Sequence, residues 1–150
     1  MRKRHAVFVA FLLAADQVLK LFSFFLPPRG AGGGFFLHTL NPGIAFSLPV
    51  GRRMLFILLA TGFVFLFFFL KKELASSAPR LIPFALIFGG AVSNIIDRLR
   101  VGAVVDYLAF PILGFHFNIA DAMVVAGVIL IARDEMASHR SKKAEGKSSS

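Results

Sequence analysis

Four aspartates of this 150-residue chain lie where charge is costly. Only eight residues are Asp or Glu, and Asp16, Asp97, Asp106 and Asp121 lie within or beside apolar stretches. Ionisable groups in such segments are expensive to bury and usually functional. Asp121 follows Asp106 by fifteen residues, at the start of an apolar run. We interpret Asp106 and Asp121 as the candidates for a membrane-embedded active site.

Two neighbouring carboxylates can share one proton. The ionised one then acts as general base on water, and the protonated one polarises a carbonyl. This chemistry of aspartic peptidases needs neither metal nor cysteine. Asp121 lies three residues after Asn118, in the first turn of a predicted helix, where the helix dipole favours ionisation. Asp106 lies on a predicted apolar strand, which favours its protonated form, although coupled groups titrate together and the roles can exchange.

Asp97 is a third candidate for the catalytic carboxylate. A hydrogen bond with Asn94 or an ion pair with its neighbour Arg98 is the simpler interpretation, and nothing in the spacing excludes catalysis. Asp16 and Lys20 are four residues apart, so they share one helix face. A carboxylate paired with Lys is a poor proton shuttle, which favours a structural role for this pair.

Four apolar runs are long enough to be membrane helices, since roughly 20 residues cross a bilayer core. The predicted helices are residues 6–26, 54–70, 81–96 and 117–132. Residues 35–50 predict a loop with short extended pieces around a turn at Asn41-Pro42-Gly43, and the β-branched residues of 101–110 predict a strand. We expect one integral membrane domain over residues 1–132 and a disordered cytoplasmic tail over 133–150.

Composition and charge agree with an α-helical membrane protein. The chain is 57% hydrophobic, with nineteen Phe, no Trp and no Cys, and its formal charge is +9. The basic residues form short clusters between the apolar runs, which is typical of membrane flanks and not of a nucleic-acid surface. Their distribution predicts that both termini are cytoplasmic and that Asn41, Asp97, Asp106 and Asp121 lie near the outer face. A cleaved signal peptide is the alternative interpretation of the first run.

Other chemistries fit the sequence less well. There is no HExxH motif for a zinc peptidase, and Ser47 and Ser93 lack the motif of a serine nucleophile. His38 and His116 could meet, although interfacial histidines bonded to backbone or lipid are commoner. The non-enzymatic alternatives are a small transporter or proton-relay protein using the four aspartates, and a membrane chaperone without turnover.

Four segments resemble the motif blocks of bacterial lipoprotein signal peptidase, signal peptidase II, in the family's order. They are DQVLK (16–20), NPGIAFS (41–47), GGAVSNIIDRLRVGAVVDY (89–107) and FNIADA (117–122). The resemblance implies an inner-membrane aspartic endopeptidase that needs no cofactor. It cuts the signal peptide from prolipoproteins just before a diacylglyceryl-modified Cys and is inhibited by globomycin-type peptides. The implied fold is four transmembrane helices with a small extracytoplasmic β-cradle.

The resemblance also implies roles for individual residues. The catalytic pair falls on Asp106 and Asp121, with Asp97 as the alternative to Asp106. The supporting or substrate-binding positions fall on Asp16, Lys20, Asn41, Gly43, Asn94, Asp97, Arg98 and Asn118. The link between Asp106 and Asp121 is a few residues shorter than the family pattern, which affects the expected outer loop and substrate preference. A lipidated substrate would enter from the bilayer, past apolar walls that Phe35, Phe36 and Phe46 could supply.

Overall fold

The computed structural model describes residues 2–26, 35–43, 81–110 and 114–148, with five helical positions from 62 to 71. Its longer elements are helices α1 (Arg2–Ser23), α2 (Leu81–Val101) and α3 (Ile119–Ser148) and strands β1 (Phe36–Asn41), β2 (Val104–Phe110) and β3 (Phe115–Phe117). The predicted helix 54–70 lies mostly outside the described residues, as do Phe46 and Ser47.

Helix α1 buries polar residues and exposes apolar ones. Asp16 and Lys20 are 0% exposed, whereas Phe11, Val18 and Phe22 are 67%, 63% and 58% exposed. This is the inverse of a helix at the surface of a soluble protein, and it is expected where the surroundings are hydrocarbon. Residues 4–23 and 81–101 are the stretches of the described chain that are long and apolar enough to cross a membrane.

The first helix, predicted over residues 6–26, spans Arg2–Ser23, and the helices predicted over 81–96 and 117–132 extend well beyond their expected C-terminal ends. Helix α2 continues past residue 96 to Val101, because Asp97 points into the protein interior and does not end the apolar face. It stops at Gly102, whose φ of 79° suits glycine. Helix α3 continues to Ser148, so most of the segment expected to be a disordered tail is helical. That segment contains Ala, Glu, Lys and Arg residues and no Pro, a composition that permits helix.

The small sheet has the order β1-β2-β3 and is antiparallel throughout. The strand predicted within residues 101–110 is therefore present as β2. Thr39 of β1 lies opposite Asp106 of β2, so their side chains share one face of the sheet. Leu108 of β2 lies opposite Phe117 of β3, next to the start of α3. The sheet thereby brings Asp106 beside the N-terminus of α3.

Glycines allow helices α2 and α3 to approach closely. A Cβ added at Gly90 would overlap the carbonyl oxygen of Ala120, and one at Gly127 would lie 2.6 Å from the carbonyl oxygen of Pro83. The helices pack around a core of Val9, Leu86 and Met123. Gly90 and Gly127 therefore allow α2 and α3 to pack closely, as small residues do between membrane helices.

Candidate active site

Asp106 is buried at the centre of the sheet and held by two amides. Its side chain is 1% exposed. Asn41 Nδ2 donates to Asp106 Oδ2 at 3.0 Å, and Asn118 Nδ2 donates to Oδ1 at 2.9 Å. Burial, reinforced by the negative charge of Asp121, raises the pKa of Asp106 to about 7. Asp106 can therefore hold a proton near neutral pH.

Asp121 lies in the first turn of α3 and is less deeply buried than Asp106. Asn94 Nδ2 donates to Asp121 Oδ1 at 2.8 Å, and the backbone N–H of Asp121 donates to Asn118 Oδ1 at 2.9 Å. Asn118 is thus the N-cap of α3 and also a hydrogen-bond donor to Asp106, so one side-chain amide links the Asp106 carboxylate to the backbone of Asp121. The hydrogen bond from Asn94 and the helix dipole stabilise negative charge on Asp121, whereas its burial opposes that charge.

The chain contains three asparagines, and each one donates its side-chain amide to Asp106 or Asp121. Asn41 comes from the end of β1, Asn94 from α2, and Asn118 from the turn before α3. Three separate parts of the fold therefore fix the orientation of the two carboxylates.

The turn after β1 is fastened to α2. The backbone N–H of Gly43 donates to Asn41 Oδ1 at 3.1 Å, so the Asn41 amide nitrogen turns towards Asp106. Arg98 Nη2 donates to the Gly43 carbonyl at 2.9 Å and Nη1 to the Asn94 carbonyl at 3.3 Å. Within the described residues, the buried atoms without a hydrogen-bond partner are Thr39 Oγ1 and Arg98 Nε, and both residues neighbour the site.

A buried ion triad lies behind the two carboxylates. Lys20 Nζ lies 2.7 Å from Asp16 Oδ2 and 2.7 Å from Asp97 Oδ2, and all three side chains are 0% exposed. The predicted pairing of Asp16 with Lys20 is present. The expected pairing of Asp97 with Arg98 is wrong, because Asp97 faces Lys20 whereas Arg98 donates to the backbone carbonyls of Gly43 and Asn94. Asp97 instead pairs with Lys20 and accepts a hydrogen bond from the backbone N–H of Val105 at 3.2 Å, so it belongs to the buried triad.

Asp16 and Tyr107 close the N-terminus of α3. Tyr107 O–H donates to Asp16 Oδ1 at 2.9 Å and accepts the N–H of Ile119 at 3.1 Å. Asp16 Oδ1 also accepts the N–H of Ala120 at 3.2 Å. Together with Asn118 they satisfy N–H groups that the helix itself leaves without partners. Burial raises the pKa of Tyr107, so its hydroxyl stays protonated as a donor.

His38 has a structural partner outside the dyad. Its Nδ1 lies 3.0 Å from Ser23 Oγ, and its ring lies 4.4 Å from that of Phe24. Because Ser23 already donates its proton to the Lys20 carbonyl, the proton of this contact belongs to His38 Nδ1. His116 lies on β3, opposite Ala109.

Comparison with known proteins identifies the family. The family model for signal peptidase (SPase) II matches residues 8–137. This chain belongs to the signal peptidase II family. The lipoprotein signal peptidase of Caldanaerobacter subterraneus subsp. tengcongensis is 34% identical over 133 residues, which are 83% of this chain and 90% of that protein. That of Shewanella amazonensis is 38% identical over 136 residues, 85% of this chain and 81% of that protein.

The fold of this chain is also similar to that of a solved membrane enzyme. A bacterial membrane enzyme superposes with a TM-score of 0.76 at 26% identity, over 93% of this chain and 92% of that one. With apolar helices and a small sheet, the chain is an α-helical membrane protein and, by family, a protease. The predicted resemblance is confirmed, and the transporter and chaperone alternatives are set aside.

All the supporting residues expected from the resemblance lie in one connected network of hydrogen bonds and ion pairs. The sequence analysis did not identify every member of that network. Tyr107, Ser93 and Gln17 join it: Ser93 Oγ donates to Asp16 Oδ2 at 2.6 Å, and Gln17 Nε2 donates to Ser93 Oγ at 2.8 Å. Each is a direct sequence neighbour of a predicted residue, and Tyr107 is the single tyrosine of the chain. Adjacency to a motif aspartate or asparagine was the available signal.

Proposed function

We propose that this protein is an aspartic endopeptidase that removes the signal peptide from diacylglyceryl-modified prolipoproteins, cutting before the lipidated Cys, with Asp106 and Asp121 as its catalytic dyad. The carrying observation is that the three asparagines of the chain all hold these two carboxylates. The relatives named lipoprotein signal peptidase support the substrate class.

The two carboxylates differ in a way that suits a general base and a general acid. Asp121, at the helix N-terminus, takes a proton from water, and the water oxygen attacks the scissile carbonyl carbon. Asp106, whose pKa is about 7, is protonated and donates to the carbonyl oxygen as negative charge develops there. Collapse of the tetrahedral intermediate breaks the C–N bond as the C=O bond re-forms. The proton gained by Asp121 passes to the leaving amine, and one hydroxyl proton of the intermediate returns to Asp106.

Two hydrogen-bonding groups near the dyad have no partner within the described part of the protein, and we assign them to the substrate. Thr39 Oγ1 and Arg98 Nε are buried beside the dyad without a partner, and buried polar groups are normally satisfied. Backbone carbonyls of an extended substrate are the acceptors that would satisfy them. Because two other nitrogens of Arg98 already hold backbone carbonyls, we assign its role to the peptide and to the Gly43 turn, not to a lipid headgroup.

The proposal also includes four transmembrane helices in the inner membrane, with both termini on the cytoplasmic side. The dyad and the sheet then lie near the outer face, where the scissile bond meets water. Phe35 and Phe36 are 68% and 56% exposed beside the sheet, which suits a wall for the acyl chains of a substrate entering from the bilayer. Globomycin-type peptides are expected to compete with the substrate there.

The test is cleavage of a diacylglyceryl-modified prolipoprotein by the purified full chain in detergent. Asp106→Asn and Asp121→Asn should each lose at least about 10³-fold in kcat, since each removes one half of the acid–base pair. The matched control is Asp134→Asn, which removes an Asp that is paired with Arg133 near the surface. Turnover in either dyad variant equal to that of the control would refute the dyad, and no cleavage by folded wild type would refute the peptidase.

A further inference from the structure

Lys20 is buried against three close acceptors, and Ser93 Oγ lies farther away at 3.4 Å. Lys20 Nζ lies 2.7 Å from Asp16 Oδ2, 2.7 Å from Asp97 Oδ2 and 2.9 Å from Asn94 Oδ1. An ammonium group has three N–H donors in a tetrahedral arrangement, so each finds its own acceptor. Two of these contacts neutralise charge inside the triad, whereas the third leaves the triad and reaches the asparagine that holds Asp121.

The contact to Asn94 decides which way its amide faces. An ammonium can only donate, so it must meet the oxygen of the amide and not its nitrogen. Asn118 Nδ2 donates to the same Asn94 oxygen at a longer 3.3 Å. With the oxygen fixed on this side, Asn94 Nδ2 faces Asp121 and donates to Oδ1 at 2.8 Å. Turned over, the amide would place its oxygen against the carboxylate and repel it.

We propose that Lys20 is a positioning residue of the peptidase, which holds Asn94 Oδ1 so that the Asn94 amide donates to Asp121. This role rests on the proposed function, because it concerns the geometry of the proposed base. Lys20 contacts neither dyad carboxylate in the described structure. It acts as a fixed donor that selects one of two amide orientations.

Arginine should not replace lysine in this role. A guanidinium presents its donors in one plane, whereas the three acceptors of Lys20 surround a single nitrogen. Lys20→Arg keeps the charge but loses the three-way contact. A requirement for lysine, and not only for positive charge, therefore distinguishes positioning from charge compensation.

The kinetic test compares Lys20→Met with Val9→Ala. Methionine has a similar volume but no donor. Val9 is buried on the same helix as Lys20, about three turns earlier, and packs in the apolar core with Leu86 and Met123. Lys20→Met, and also Lys20→Arg, should lower kcat about 10- to 100-fold with KM changed less than about threefold, as expected when a hydrogen bond to a charged group is lost. Val9→Ala should lower Tm but leave kcat within about twofold.

A second readout does not need turnover. Because the chain has three asparagines, ¹⁵N-Asn labelling gives three side-chain amide signals, and Asn94→Ala assigns one of them. In Lys20→Met the Asn94 signal should move towards the position of a solvated amide, while that of Asn41 stays. If Lys20→Met does not fold, Lys20→Met/Asp97→Asn, which removes one charge of each sign, is compared with Asp97→Asn by the same two measurements.

An unmoved Asn94 signal, or a kcat loss no larger than that of Val9→Ala, would overturn the role of Lys20. Full rescue by Lys20→Arg would also overturn it in favour of charge compensation. Failure of the wild type to cleave the prolipoprotein would count against the proposed function instead, and the amide signal would still test the contact between Lys20 and Asn94.

Discussion

Gly90 links the packing of two helices to the dyad, and Gly90→Ala should therefore affect both stability and turnover. A Cβ at this position would overlap the carbonyl oxygen of Ala120 and lie 2.9 Å from Val124 Cγ2. Carbon atoms need about 3.5–4.0 Å, so α2 and α3 must separate by roughly 1 Å. The obstructing atom is backbone, which cannot rotate away, and it directly precedes Asp121 in the chain.

The expected cost has two parts. Overpacking of this kind destabilises by about 1–3 kcal/mol, which corresponds to a decrease in Tm of several degrees for a chain of this size. Displacement of Asp121 by about 1 Å can lower turnover by up to about 10²-fold. The assays are thermal unfolding in detergent and prolipoprotein cleavage at saturating substrate.

Gly62→Ala is the matched control, since a Cβ there meets nothing within 4 Å. It should leave Tm unchanged or slightly raised and leave kcat unchanged. A Gly90→Ala protein with the Tm and kcat of wild type would refute the inferred helix contact. A lower Tm with unchanged kcat would refute only its coupling to Asp121.

Three further outcomes follow from the site. The folded-state pKa of Asp106 is raised to about 7 from 3.8, so the folded protein binds a proton that the unfolded chain releases, and stability falls as pH rises from about 4 to 7. The stabilisation caused by Asp106→Asn, measured by unfolding at different pH values, should therefore grow over that window. A difference in stability between the variant and wild type that does not change with pH would contradict this. Thr39→Val should raise KM several-fold in cleavage assays without lowering Tm, because it removes a buried hydroxyl that lacks a partner, and an unchanged KM would exclude a substrate contact. Tyr107→Phe leaves the N–H of Ile119 unsatisfied and should cost about 1–3 kcal/mol in thermal unfolding; wild-type stability would contradict the cap.

The sequence predicts the local secondary structure of this protein better than it predicts which side chains contact each other. The apolar runs around α1 and α2 are visible in the sequence, and so are the β-branched residues of β2. The end of α2 is not, because the helix continues through Asp97 to meet Lys20, 77 residues away in the chain. Likewise Arg98 next to Asp97 suggests an ion pair, but the two side chains have different partners in the fold: Lys20 for Asp97 and the Gly43 carbonyl for Arg98.

The candidate site shows the same limit. The four motif blocks identify which polar residues matter, but not which atoms meet. Nothing in the spacing indicates that Asn118 both caps α3 and holds Asp106, or that Tyr107 serves the same helix end. These contacts depend on the sheet register that sets Asp106 opposite Thr39, and register is a property of the folded chain.

The pairing of Asp16 with Lys20 within one helix has a consequence for the biogenesis of the protein. Residues four apart meet as soon as the helix forms, so α1 can enter the bilayer with its cation and anion already neutralising each other. Asp97 is synthesised later, on α2, and its carboxylate finds its cation only when α2 packs against Lys20 of α1. Membrane helices insert first and associate afterwards, and here the second step is driven by a charge that the lipid cannot solvate. The order of synthesis and the electrostatics therefore both favour the packing of α2 against an α1 that is already inserted.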